Sequence, residues 1–445
     1  MSRVALFEDS RADQLRPLAL IRPVYELLAG HFTNRERVLR QTAATEWGAF
    51  CRADLAATYR EAHSGVPVND ERWLQSGGDG TSTLFVNGRF IPAAGAIAAL
   101  QGDEALYLGE TLVALSVQPE EAILVSPDAV EESLGRLVRK RKAVAASGRL
   151  IEYLWDIVHH NGEQITADFR QRGKSPKKAA LGAQVAVLGE DRDVHVDPTA
   201  QIDPFVVIDA RSGPVYIDAD ARVQAFTRLE GPCYIGPKTQ LFRANVRAGC
   251  SFGPVCRVGG EIEESVILGY SNKYHDGFLG HSYVGSWVNL GALTTNSDLK
   301  NDYSDVTVPL AGEPIETGSP KVGCFVGDHT KTALSTLFNT GSSIGVMTML
   351  LPAGELMPKH VPSFMRLWHG RLDDLPGGIQ PGLDAARVAM SRRSCELTPA
   401  MEQLLLRLYD QTRGEREAAI LRMRQRESRG FAVDPGVRQR PAGPG

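Results

Sequence analysis

The 445-residue sequence predicts an α/β domain, then a parallel β-helix of triangular section, then a C-terminal helix. Three observations predict this. Short apolar runs alternate with helical patterns over residues 1–150. An apolar residue recurs at every sixth position through much of 186–355. A stretch rich in Leu, Met, Glu and Arg at helical spacing occupies 398–428.

In the first domain, Val4-Ala5-Leu6-Phe7, Leu84-Phe85-Val86 and Ala122-Ile123-Leu124-Val125 read as buried strands. Residues 23–41 read as a helix with Pro23 in its first turn and Leu27, Leu28 and Phe32 as apolar positions. Strands alternating with helices predict a mostly parallel sheet. Residues 151–185 form a helical connector around Leu154, Trp155, Ile157 and Val158, followed by a linker at 172–178. A C-terminal helical region spans 356–430, and 431–445 reads as a disordered tail.

The repeat carries the fold prediction. In steps of six the sequence gives Val196, Ile202, Ile208; Ile217, Val223, Leu229, Ile235, Leu241; Val246, Phe252, Val258; Val284, Leu290; and Val326, Thr332, Phe338, Ile344, Leu350. Only Thr332 is not Val, Ile, Leu or Phe. Gly follows at 236, 253, 259, 285, 291, 327 and 345, Asp at 197, 203, 209 and 218, and Asn at 339. These residue types tolerate tight turns and positive φ. Six steps of about 100° carry a helical residue off its buried stripe, whereas six is a multiple of the strand period of two. Short strands with a corner after each apolar residue therefore coil into a β-helix. An antiparallel domain would want variable strand lengths and Asn-Gly hairpins. Two interruptions, at 260–283 and 292–325, predict loops on a functional face.

Composition narrows the function. Lys+Arg number 49 and Asp+Glu 53, a net charge of −4, with 43% apolar and 23% charged residues. These values exclude a wholly disordered or collagen-like chain and argue against retention on nucleic acid by bulk charge. Glu402, Glu415, Glu417 and Glu427, interspersed among the C-terminal Arg residues, favour a solvated helix face over a nucleic-acid patch. No apolar run approaches a membrane span, and acidic residues follow Met1 too early for a signal peptide. Cys51, Cys233, Cys250, Cys256, Cys324 and Cys395 show no CxxC spacing. The expectation is a cytoplasmic protein with reduced thiols and small-molecule partners.

The densest polar segment runs from Ser271 to His281, and a second from Asn289 to Asp298. A near-neutral His can take a proton from an amine nucleophile, and backbone N–H groups at Gly-containing corners can hold an oxyanion. Both His275 and His281 are open to a structural-loop reading. His281 fits it better, standing just before the apolar rhythm resumes.

On these residues the repeat resembles the left-handed β-helix acyltransferases, and within them the acetyltransferase half of the bifunctional GlmU family. His275 stands fourteen residues before Asn289-Leu290-Gly291-Ala292, the family's spacing. The resemblance implies His275 as general base, the Ala292 N–H as oxyanion donor, and Asn289 as a contact to sugar or intermediate. It implies Arg247 as the sugar-phosphate ligand, Lys273 and Phe278 on the substrate side, and Ala292, Asp328 and Gly345 along acetyl-CoA. It also implies a homotrimer. Glu263 replaces the family's Lys and Phe278 its Tyr; the charge at Glu263 would repel a sugar phosphate.

The first domain resembles sugar-phosphate nucleotidyltransferases. Their Gly-rich phosphate loop is here Phe7-Glu8-Asp9-Ser10-Arg11, without Gly; Val24 replaces the Lys after Pro, and Asn87-Gly88-Arg89 replaces the metal-binding strand end. The resemblance implies nucleotide contacts from Arg11, Arg16, Arg22, Asn87, Gly88 and Arg89, with Mg2+ as cofactor and no metal ligand assigned. The expected activity is GlmU-like and bifunctional. It joins acetyl transfer to an amino-sugar phosphate of the glucosamine-1-phosphate type with nucleotidyl transfer to a sugar 1-phosphate, giving a nucleotide sugar such as UDP-N-acetylglucosamine. Two alternatives stay open: an acyltransferase on another amino sugar with a non-catalytic N-terminal domain, and a binding solenoid without chemistry.

Overall fold

A computed structural model describes residues 3–428 except 77–79, 99, 101 and 173–178. Most of the expected linker and the whole expected tail lie outside the described residues.

The N-terminal domain is built on a six-stranded sheet in the order Glu46–Phe50, Arg3–Phe7, Thr83–Asn87, Thr111–Val117, Glu104–Leu108, Lys142–Ala145. The sheet is mixed: Thr111–Val117 runs antiparallel to both its neighbours. Two expected elements differ. The helix read at 23–41 starts only at Asn34, where Thr33 and Glu36 form a capping box; Pro23 precedes a single 3-10 turn, Val24–Glu26. The apolar run at 122–125 is no strand. Pro119 opens a short helix, Pro119–Ala122, and leaves Ile123 and Leu124 exposed.

The β-helix follows, left-handed and parallel. One face is a nine-stranded parallel sheet from Val194–Val196 to His360–Val361. Its inward column is Val196, Ile217, Ile235, Phe252, Ile267, Val284, Val326, Ile344 and Val361, all buried. The first expected interruption is not one. Ile262, Ile267, Lys273, Leu279 and Val284 continue the coil with edges of five or six residues, which broke the strict count. The second is a true excursion carrying an antiparallel hairpin, Thr307–Leu310 with Glu313–Glu316. The coil also runs past Leu350, ending in the hairpin Met365–Trp368 with Arg371–Asp374.

The glycines after the inward residues serve close approach rather than positive φ. A Cβ on Gly253 would overlap the Leu268 carbonyl of the next coil, and one on Gly291 would lie 2.5 Å from the Ala333 oxygen. The left-handed residue comes two positions later, at Val255, Trp287, Leu293, His329 and Met347.

The connector helix Leu154–Arg172 ties the two domains together. Asn161 accepts from Gly30 N (2.7 Å) on one side and donates to Gly249 O (2.8 Å) on the other. Among the described residues the C-terminal region holds three helices, Gln380–Ser391, Pro399–Gln411 and Arg413–Ser428; the expected single helix over 398–428 breaks at Thr412. Leu404, Leu405 and Leu408 share a core with Val4, Leu6, Met347 and Phe364, so the C-terminal helices bridge both domains. No helix among the described residues is long and apolar enough to cross a membrane.

Candidate active site

Coil stacking aligns Asn272, Asn289 and Lys331 on one outer face, through bridges from Asn272 to Asn289 and from Asn289 to Lys331. At the edge of this face the chain turns through His275 in one coil and through Gly291-Ala292 in the next; Leu293 N donates to Asp276 O (2.9 Å) between them. An open cavity of about 540 Å³ lies here. Its lining includes His275, Asn289, Ala292, Arg257, Tyr274 and Arg392. The structure thus brings together the three residues that sequence assigns to catalysis.

Their surroundings suit the chemistry. His275 is exposed, and its ring meets Tyr274 edge-on at 4.8 Å. Asn289 accepts from Asn272 Nδ2 at 3.2 Å, and Asn272 Oδ1 accepts from Arg393. Among the described residues the Ala292 N–H donates to no protein acceptor, while its carbonyl takes Ser335 N (2.7 Å). A backbone amide left without an acceptor in the cavity lining can receive an oxyanion.

Other expected residues lie elsewhere. Asp328 is completely buried and bound by Arg22, and Gly345 packs against the backbone of Ser363. Neither lines the groove. Val326-Gly327-Asp328 occupies the edge turned to the N-terminal domain; along the groove the coil after Ala292 offers Thr332, Ala333 and Leu334. Arg247 and Phe278 also lie outside the cavity lining, and Arg247 is paired with Glu263 (2.9 Å) and Glu261 (3.7 Å). Lys273 points into the β-helix and is 2% exposed. It does not line the groove and has no ion pair with Glu263.

The expected nucleotide contacts do not assemble. Arg89 is fully buried against Asp9, with Nε 2.8 Å from Oδ1, and Asn87 donates to the same carboxylate. Arg22 is held by the buried Asp328, while Arg16 and Arg11 stay exposed in surface pairs with Asp13 and Glu152. Gly88 is wedged beside Tyr25. Glu8, at the phosphate-loop position, accepts from Val24 N and Arg52 N (both 2.9 Å) and pairs with the Arg52 guanidinium. Two carboxylates, each matched by an arginine, thus fill the place of a phosphate cradle. The residues do not fit Mg2+: Glu8 and Asp9 are already paired, and among the described residues no group of three His, Cys, Asp or Glu side chains is arranged to hold a metal ion.

Sequence reasoning missed Arg257, Tyr274 and Arg392. Arg257 is readable in hindsight, since it precedes inward Val258 as Asn272 precedes Lys273. Arg392 reaches the groove only because the helix Gln380–Ser391 folds back, which no local pattern signals.

Residues 4–175 match the family model of sugar nucleotidyl transferases. A bifunctional sugar-1-phosphate nucleotidylyltransferase/acetyltransferase of Sulfurisphaera tokodaii is 32% identical over 152 residues, covering 32% of this chain and 36% of its own length. A bifunctional protein GlmU of an Azoarcus species is 26% identical over 277 residues, covering 57% of this chain and 54% of its own. The chain therefore spans about a third to a half of these relatives. Among solved structures, an Arabidopsis UDP-N-acetylglucosamine acyltransferase overlaps 57% of this chain and 99% of its own, at 14% identity and a TM-score of 0.25, too low to bear on the site. These matches relate the chain to the sugar nucleotidyl transferases through residues 4–175, and to the GlmU-type bifunctional transferases over about half its length.

Proposed function

We propose that the groove transfers an acetyl group from acetyl-CoA to the amine of an amino sugar. The observation that carries this reading is the shared cavity of an exposed imidazole, His275, and an unengaged amide, Ala292 N–H. The amine lone pair attacks the thioester carbon while His275 takes the ammonium proton. The carbonyl oxygen becomes an oxyanion facing the Ala292 N–H. Collapse breaks the C–S bond, and the leaving thiolate receives the proton from His275. A positioned base contributes about 10² to 10⁴ in rate, and an oxyanion donor about 10² to 10³.

The N-terminal domain, matched over residues 4–175 by the sugar nucleotidyl transferase model, adds nucleotidyl transfer that is weak or absent in this reading, because the Glu8–Arg52 and Asp9–Arg89 pairs occupy its phosphate-loop position. The groove is open on one flank, which suits closure by a neighbouring copy in a homotrimer; light scattering showing a monomer at micromolar concentration would count against that.

The test is thiol release from acetyl-CoA with glucosamine, glucosamine 1-phosphate and a nucleotide-linked amino sugar. Turnover with at least one acceptor, lost in His275→Ala, supports the reading. No release with any of them, or release indifferent to His275, rejects it. Incubation of a nucleoside triphosphate, Mg2+ and a sugar 1-phosphate should give pyrophosphate slowly or not at all.

A further inference from the structure

Three polar residues interrupt the apolar columns inside the β-helix: Lys273, Asn296 and Thr332, all within the coils that carry the groove. Lys273 stands in the column of Val223, Leu241 and Val258, one strand position to the next. Thr332 stands in the place that Leu350 takes one coil on. A narrow aliphatic interior is a costly place for an amine, and burial pushes Lys273 down to about 8 despite the nearby Asp276.

What these side chains bond to is specific. Lys273 Nζ donates to His275 O at 2.6 Å and to Gly259 O at 3.1 Å. Among the described residues no other donor reaches the His275 carbonyl, and the His275 ring has no hydrogen-bond partner of its own. The Thr332 hydroxyl oxygen accepts Gly291 N at 2.8 Å and lies 2.9 Å from Thr294 Oγ1. These contacts hold both sides of the turn that presents the Ala292 N–H. Asn296, by contrast, bonds both N and O of Gly280, away from the cavity lining.

We propose that Lys273 and Thr332 are positioning residues acting from inside the solenoid, Lys273 fixing the backbone at His275 and Thr332 fixing the Gly291-Ala292 turn. The inference rests on reading the groove as an acyl-transfer site. Both ammonium and neutral amine supply two N–H donors, so the Lys273 tether does not depend on its protonation state. The imidazole, lacking a side-chain partner, inherits its place from the backbone that Lys273 holds. A displacement of about 1 Å at a reacting group can cost around 100-fold in rate.

Apolar replacements test this, because the columns already accept them. Lys273→Met removes a buried amine from an aliphatic column but also takes the donor from the Gly259 and His275 carbonyls; the two effects oppose each other, so its melting temperature should stay within about 5 °C of the wild type. Its kcat should fall at least about 10-fold with KM for acetyl-CoA within about twofold, the signature of lost transition-state alignment. Thr332→Val should lower kcat by about 10-fold, while Thr332→Ser, which keeps the hydroxyl, should stay within about threefold of wild type. Hydrogen exchange supplies a readout without turnover: it should rise at residues 274–277 in Lys273→Met and at 291–293 in Thr332→Val, with the rest of the chain unchanged. A wild type that releases no thiol overturns the acyl-transfer reading and this proposal with it. An active wild type whose kcat and exchange survive both apolar substitutions overturns the positioning roles alone.

Discussion

Arg22 and Asp328, 306 positions apart, form a two-pronged ion pair where the N-terminal domain meets the β-helix. Nη1 lies 2.9 Å from Oδ2, and Nη2 bonds Oδ1. Asp328 is fully buried and also accepts Ser286 N at 2.8 Å, so the pair orders the coil as well as the interface. Nearby, Tyr283 donates to Leu28 O at 2.9 Å across the same interface.

Breaking that pair from one side should be expensive. Asp328→Asn leaves a largely buried guanidinium without its counter-charge, a change that typically costs about 3–5 kcal/mol. Arg22 retains some solvent contact, so the lower end is expected, near 3 kcal/mol. A urea titration should show the loss, and the Arg22→Met, Asp328→Leu double variant should recover most of it. Equal stability of Asp328→Asn and wild type would mean that the interface does not depend on the pair.

The same pair explains one limit of reading the sequence. The inward columns at 196–258 and 326–350 were legible because a strict period leaves little freedom in where each side chain points. His275, Asn289 and Ala292 were legible because coil stacking turns fixed spacing into proximity. Asp328 was misplaced because adjacency to a repeat residue does not say which of three corners a residue occupies, nor what lies against it. Arg89 likewise looks basic and available until Asp9 is found beneath it. Long-range pairing of charges has no period, so it leaves no trace in the pattern. Lys273 is the opposite case. It occupies an inward repeat position, but the coil edges here shorten to five residues, so no step of six from Val258 or Val284 reaches it.

His281 predicts a pH dependence of stability. Burial alone would lower its pKa; hydrogen bonds to Asp298 (2.8 Å) and Glu264 (3.3 Å) outweigh this and raise it to about 9. The unfolded value is near 6.5. The folded state therefore binds the proton more tightly. The stabilisation is fully present below about pH 6.5 and is lost as pH rises through about 9. At about 1.4 kcal/mol per unit, and allowing for the half-exposed Glu264, this amounts to about 2–3 kcal/mol. Unfolding free energies from denaturant titrations between pH 6 and 9.5 should fall by that amount in wild type. The slope should be absent in His281→Gln. Because His281 O also accepts Gly323 N, and Asp298 O accepts Val322 N, the excursion should loosen first on alkalinisation.

The mouth of the groove predicts how anions bind. Arg257 and Arg392 line it, and Arg393 stands beside them on Asn272. Burial, then the charges of Arg257 and Arg392, hold Arg393 below the usual arginine value. No carboxylate pairs with any of the three among the described residues, so a phosphate is their natural counter-ion. Arg392→Gln should raise KM for acetyl-CoA by about 10-fold, one charge-assisted contact, with kcat nearly unchanged. Added salt should weaken binding in wild type more than in the variant. An unchanged KM would place the phosphates of CoA elsewhere on the coil.

The sharpest prediction compares the two histidines that six residues separate. An ammonium ion cannot attack a thioester until it loses a proton. His275 is exposed in the groove beside Tyr274, whereas His281 is buried between two carboxylates that hold it protonated at neutral pH. An imidazole kept protonated cannot serve as a base, so only His275 can do so. His275→Ala should lower kcat by about 10² to 10⁴ while acetyl-CoA binding, measured by calorimetry, stays within a few-fold. The wild-type rate should depend on pH, and that dependence should be lost in His275→Ala. His281→Gln should leave that dependence in place and lower the rate far less, since its effect runs through the fold. If the two substitutions reduce turnover equally at pH 7, proton removal is not the task of His275, and the groove needs another base.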